Sequence, residues 1–127
     1  MNYFKLLYCF YLPAIVFLIN QFFIIPFGIY QLWEWFDIPM HFIGGCAIAY
    51  SFILVLRKLD KEIIIKKRFL RILIVLGLLS IVIISWEFYE FLRRVVLDII
   101  QNTLEDTLLD CLMGLIGGLV TLVTIKK

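Results

Sequence analysis

One histidine and a small set of carboxylates, embedded in apolar sequence, are the residues of this chain equipped for chemistry. His41 is the single histidine among 127 residues and stands four positions after Asp37. Glu87 and Glu90 are three apart, and Asp106 and Asp110 four apart. On a helix each of these spacings puts the pair on one face. An imidazole with several carboxylates is a hard, mostly oxygen ligand set that suits Mg, Mn, Fe or Zn without selecting one. A divalent metal ion held by His41, Glu87, Glu90, Asp106 and Asp110 would activate water, with Glu87 or Glu90 as the catalytic general base. Two carboxylates in a medium of low dielectric either share a proton, bind a cation or pair with arginine, and Arg94 lies four residues from Glu90.

The elements that must position these groups follow from composition. Hydrophobic residues make up 64% of the chain and aromatic residues 17%, with a mean hydropathy of +1.04; soluble domains carry about 45–50% apolar residues. A soluble fold is excluded, and a net charge of +2 with no basic stripe argues against nucleic acid as a partner. Four apolar runs, Phe4–Ile25, Ile38–Leu56, Phe69–Leu92 and Thr107–Ile125, approach or exceed the about 20 residues that a helix needs to cross a bilayer. The expected fold class is all-α: a polytopic transmembrane helix bundle of four spans, forming one domain over residues 1–127 in a cell membrane. No small-residue cleavage site follows the first run, so a retained span is expected, kinked at Pro13. Cys9, Cys46 and Cys111 lie inside apolar runs and read as small packing residues.

Charge fixes the expected orientation. Lys5, the group from Arg57 to Arg71, and the pair Lys126 and Lys127 supply ten of the twelve bases, all on one side of a four-span chain. That side is the cytoplasm by the positive-inside rule, with both termini inside. Eight of the ten acids fall toward the other side; only Asp60 and Glu62 do not. At 1.5 Å per residue, His41 and Asp110 lie about 6 Å below the outer surface, with Glu90 and Glu87 at roughly 3 and 7.5 Å. Three spans therefore offer polar groups at one depth, where an ionised group is costly.

Small residues continue two of these faces inward. Asp37, His41, Gly45 and Ala49 recur every four residues, as do Asp106, Asp110, Gly114 and Gly118. Gly114 and Gly118 have the spacing that lets membrane helices approach closely, with Gly45 and Ala49 as the expected partner surface. Capping offers a simpler role for some of the acids. Asp37 precedes Ile38-Pro39 and suits a helix start, and Asp106 and Asp110 follow Thr103 and Thr107 by three residues.

The ordered set Asp37-x-x-x-His41-Phe42, Glu87-x-x-Glu90 and Asp106-Thr107-x-x-Asp110, followed by a glycine-rich span, resembles the YjdF-like family of bacterial membrane proteins. A looser likeness connects the acid-ended helix and the aspartate-led, glycine-rich helix to VanZ-like proteins. Thr103, Leu104 and Glu105 stand where the YjdF-like pattern carries Asp-Pro-Trp, so one carboxylate of that pattern is missing. The resemblance implies the bundle and the polar site in a bacterial inner membrane, not a reaction. Three functions stay open on the sequence: a site for a divalent cation or a lipid headgroup at the extracytoplasmic leaflet, a small transporter or proton relay, and a structural or accessory subunit. The bilayer is the expected partner in each, with homo-oligomerisation left open.

Overall fold

The computed structural model describes residues 6–59, 68–99 and 102–125, which are helical with connecting turns and contain no strand. Phe4, Lys5, Asp60, Lys61, Glu62, Lys66, Lys67, Lys126 and Lys127, which carry part of the expected sidedness, lie outside the described residues.

The first apolar run folds as an irregular helix in three parts. A 3₁₀ turn, Tyr8–Phe10, leads into α1, Tyr11–Ile19, which passes into a π-helical turn, Asn20–Ile24. Pro13 is the third residue of α1, so its missing N–H falls in the first turn, where no helical carbonyl waits for it. The irregularity sits earlier in the chain, at Phe10, with φ −98° and ψ 12°. A proline ring crowds the carbonyl four residues back, which here is that of Cys9. Gly28, at φ +65°, then reverses the chain into a short α2, Ile29–Leu32, and a 3₁₀ turn, Glu34–Phe36, feeds the next helix.

Three long helices complete the bundle: α3, Asp37–Leu59; α4, Arg68–Val96; and α5, Leu104–Thr124. The spans Glu34–Leu59, Arg68–Val96 and Leu104–Thr124 are long and apolar enough to cross a membrane, whereas Tyr8–Ile24 is a shorter apolar helix. Each long helix begins or ends beyond its apolar run, taking in Arg57 and Lys58 on α3, Arg93 and Arg94 on α4, and Glu105 and Asp106 on α5. Helix α4 closes with Asp98 at φ +54° and a bond from Ile99 N–H to the Arg94 carbonyl at 2.9 Å, the six-to-one pairing of a Schellman end. Helix α5 opens at Thr103, whose Oγ1 accepts the Asp106 backbone N–H at 3.1 Å.

On α3 and α5 the buried apolar positions are small residues, whereas α4 turns Val75, Leu79 and Ile83 inward. Gly45, Ala47, Ala49 and Ser51 are the buried residues of α3, and Gly114, Gly117 and Gly118 are buried on α5, while Ile81 and Phe88 of α4 are 63% and 65% exposed. Lipid is as apolar as leucine, so nothing drives large side chains inward, and packing is won where backbones can approach. A side chain on Gly45 would strike the Gly114 carbonyl oxygen, and one on Gly117 would strike that of Phe42. Ala49 lies next to Gly118 one turn further along. From Gly45–Gly114 to Ala49–Gly118 the contacts advance by four residues in both helices, so α3 and α5 run parallel. Ile83 meets Gly114 and Leu79 meets Gly118, so α4 runs the opposite way. Ala49, Val75, Leu79 and Ile83 form the core between the three. The Cys46 thiol donates to the Gly117 carbonyl at 3.3 Å, and the Thr121 hydroxyl donates to the Cys46 carbonyl at 3.5 Å, which ties the same seam. Helix α1 lies on the outside of this trio, with Phe10 edge-on to Phe52 and Phe17 edge-on to Trp86.

Candidate functional site

The site grows from the first turns of α3. Asp37 and His41 are one turn apart, and His41 Nε2 lies 3.4 Å from Asp37 Oδ1. One further turn along, Gly45 admits the backbone of α5 at Gly114, and that close approach carries Asp110 to the imidazole. Asp110 Oδ2 is 3.7 Å from His41 Nε2. From the antiparallel helix α4, Glu87 Oε1 comes within 3.8 Å of the other ring nitrogen, Nδ1. One imidazole is thus flanked by three carboxylates from three helices. Two face one nitrogen and the third faces the other.

These groups are buried and incompletely bonded. The side chains of His41 and Glu87 are each 10% exposed and that of Asp110 is 5% exposed. Separations of 3.7 and 3.8 Å are too long for hydrogen bonds. Glu87 Oε1 and Asp110 Oδ2 accordingly have no hydrogen-bond partner. Buried carboxylate oxygens without donors are costly, and a cation among them removes that cost. Asp37, His41 and Asp110 each offer one ligand atom, all within 4.8 Å of one another. Ligand atoms around tetrahedral zinc, with bonds of about 2.0–2.1 Å, stand about 3.4 Å apart, and His41 Nε2 lies 3.4 and 3.7 Å from the two aspartate oxygens, so a divalent cation fits with small side-chain movements.

The remaining sequence candidates are placed differently. Glu90 Oε1 accepts the Trp86 indole N–H at 3.1 Å, while Oε2 is buried without a hydrogen-bond partner. Asp106 is exposed in the first turn of α5 and is not among the residues gathered at His41; its backbone N–H serves the Thr103 cap. The same i,i+4 spacing that linked Asp106 to Asp110 therefore spans the boundary between a helix start and the bundle interior. Asp37, whose position before Ile38-Pro39 suits a cap, stands in the cluster.

A cavity of about 110 Å³ opens beside the cluster, with Asp37, His41, Glu90, Asn20, Tyr30 and Trp86 among its walls. Asn20 and Tyr30 are not among the site residues that the sequence pattern singles out. Asn20 is 6% exposed, and the Tyr30 hydroxyl donates to its Oδ1 at 2.6 Å. The π-helical turn that begins at Asn20 re-aims this part of the helix, a use often found near functional sites. Burial, with the nearby charges of Asp37 and Glu90, pushes the Tyr30 phenol above its usual range, which keeps it a donor. The signal available in the sequence was a pair of amides, Asn20-Gln21, inside an otherwise apolar helix.

No curated protein and no solved structure matches this chain. A family model described as "Predicted membrane protein (DUF2238)" matches residues 2–127. That match, with three helices able to cross a bilayer, makes this a multi-pass membrane protein. It lends nothing to the VanZ-like likeness. The chain belongs to the DUF2238 family of membrane proteins.

Proposed function

We propose that this protein is a small four-span membrane protein that holds a divalent cation at the extracytoplasmic leaflet, with His41 Nε2, Asp37 and Asp110 as ligands. The observation that carries this reading is the division of the imidazole. Its Nε2 faces two aspartates whose ligand atoms share a radius suited to one ion, while its Nδ1 faces Glu87. Metal-bound histidines commonly give their other N–H to a carboxylate, which fixes the ring and raises its basicity. Glu87 is the positioning residue on this reading and Glu90 is the general-base candidate that lines the adjoining cavity. The YjdF-like likeness, which rests on the same ordered residues, fits this assignment.

The bundle forms one domain with Tyr8–Ile24 as its first crossing, both termini cytoplasmic, and the acid-rich ends of α3, α4 and α5 outward. Basic residues at the opposite ends support that orientation. A through-bundle proton relay has less support. Among the described residues, buried positions further along the bundle include Ala47, Ala49, Ser51, Val75, Leu79 and Thr121, none of which exchanges protons near neutral pH.

Elemental analysis of the purified full chain, after equilibration with Mn or Zn and removal of loose metal, tests the assignment. About one equivalent of metal is expected in the wild type, with loss of most of it in Asp37→Asn combined with Asp110→Asn. A wild type that retains no metal, or a folded double variant that retains as much as the wild type, overturns it.

A further inference from the structure

The cavity beside the cluster has a chemistry of its own. Its walls come from five helices: Phe17 and Asn20 from the first, Tyr30 from α2, Asp37 and Gly44 from α3, Trp86 and Glu90 from α4, and Gly114 from α5. Phe17 and Trp86 meet edge to face at 5.9 Å. Aromatic rings beside carboxylates are the surroundings that hold ammonium groups, through ring faces and ion pairing together.

Hydrogen-bonding capacity points the same way. The Trp86 N–H is used on Glu90 Oε1 and the Tyr30 O–H on Asn20 Oδ1. The wall atoms left over include two acceptors, Glu90 Oε2, with no hydrogen-bond partner, and the second lone pair of Asn20 Oδ1, beside the Asn20 Nδ2 donors. A guest that brings several N–H donors satisfies these atoms, and a phosphate or carboxylate does not. A primary ammonium has three donors, whereas a quaternary ammonium has none. A divalent ion on Asp37 and Asp110 neutralises two carboxylates, and Glu90, which also feels the Arg93 and Arg94 guanidiniums, is the carboxylate that remains in the cavity wall. The volume, about 110 Å³, is of the order that admits a small organic group, since a cavity of about 150 Å³ takes a benzene-sized guest.

We propose that this cavity binds the primary ammonium group of an amphiphile, with Glu90 as its counter-ion and Phe17, Tyr30 and Trp86 as its aromatic walls. The proposal rests on the metal-site reading for the charge of its surroundings, and names the organic ligand that sits beside that ion. An aminated lipid headgroup such as ethanolamine and a free amine share this chemistry.

Full-length protein in detergent, equilibrated with a short-chain phosphatidylethanolamine, phosphatidylcholine or phosphatidylglycerol, tests it by native mass spectrometry of retained lipid. Preference for phosphatidylethanolamine over both others by about tenfold is expected, with the preference lost in Glu90→Gln. Gly44→Leu provides a second variant. A Cβ at Gly44 meets nothing within 4 Å, so the leucine fills the cavity without touching the α3–α5 seam, and it too should abolish the preference. Competition by free ethanolamine at matched concentration assigns a free amine as ligand, and resistance to it assigns the lipid. Equal retention of the three lipids by the wild type overturns the proposal, as does a folded Gly44→Leu variant that keeps the preference. Metal content measured on the same samples separates the two claims: lost lipid preference with metal retained sinks only the ammonium site, and lipid preference without metal sinks only the metal reading.

Discussion

His41 is the residue on which the site turns, and its neighbours divide by what they give to it. Asp110 supplies an oxygen that is buried and undonated, so on the proposed metal reading its replacement removes a ligand. Glu87 faces the far nitrogen, so its replacement loosens the ring without removing a ligand. Metal titration should accordingly show Glu87→Gln weakened about 10–100-fold yet still saturable, and Asp110→Asn without saturable binding. Asp106→Asn should titrate like the wild type, because Asp106 is exposed and lies off the cluster. The carboxylates were visible in the sequence as a set, but their ranking was not. Spacing alone gave Asp106 and Asp110 one face, and only the position of the helix start put one outside and the other in. Asp37 was equally ambiguous, since a carboxylate at a helix start serves a cap or a ligand with the same sequence signature.

At the scale of elements, the parallel pair α3 and α5 sets the site, because Asp110 reaches His41 only if the helices close at Gly45 and Gly114. Gly45→Val puts carbon against the Gly114 backbone, where neither neighbour is a flexible side chain that could yield. The expected loss of stability is at or above the upper end of the about 1–3 kcal/mol typical of overpacking, measured as lowered thermal stability in detergent with loss of metal retention. Gly77→Ala is the matched control: nothing lies within 4 Å of its added carbon, and helix propensity favours alanine by about 0.8–1 kcal/mol. Thr103→Ala removes the side-chain acceptor for Asp106 N–H and should cost about 1 kcal/mol. The small-residue seam on α3 and α5 was legible as a four-residue repeat. Gly117, which faces the Phe42 carbonyl, falls outside that repeat, because two packed helices touch through a strip wider than one row of side chains.

For the whole molecule, sidedness is the open geometric prediction. With the native cysteines replaced, cysteines at Lys61 and at Glu34 should be labelled by a membrane-impermeant thiol reagent from opposite faces of oriented vesicles. Labelling of both from the same face would contradict the arrangement of crossings. Composition and the period of apolar runs determined by themselves that this chain lives in a bilayer as helices, because a lipid solvent leaves the backbone few other ways to satisfy its hydrogen bonds. They also marked the acids and the histidine as costly and therefore informative. What only the tertiary structure decided is which of them meet. A helix presents a residue to a partner according to its rotation and closest approach. Here both depend on glycine contacts between α3 and α5, and the cavity at Asn20 and Tyr30 depends on a π-helical turn and a reversal at Gly28. Such contacts join residues about seventy positions apart, as Cys46 and Gly117 do with a sequence separation of 71, and no local periodicity carries them.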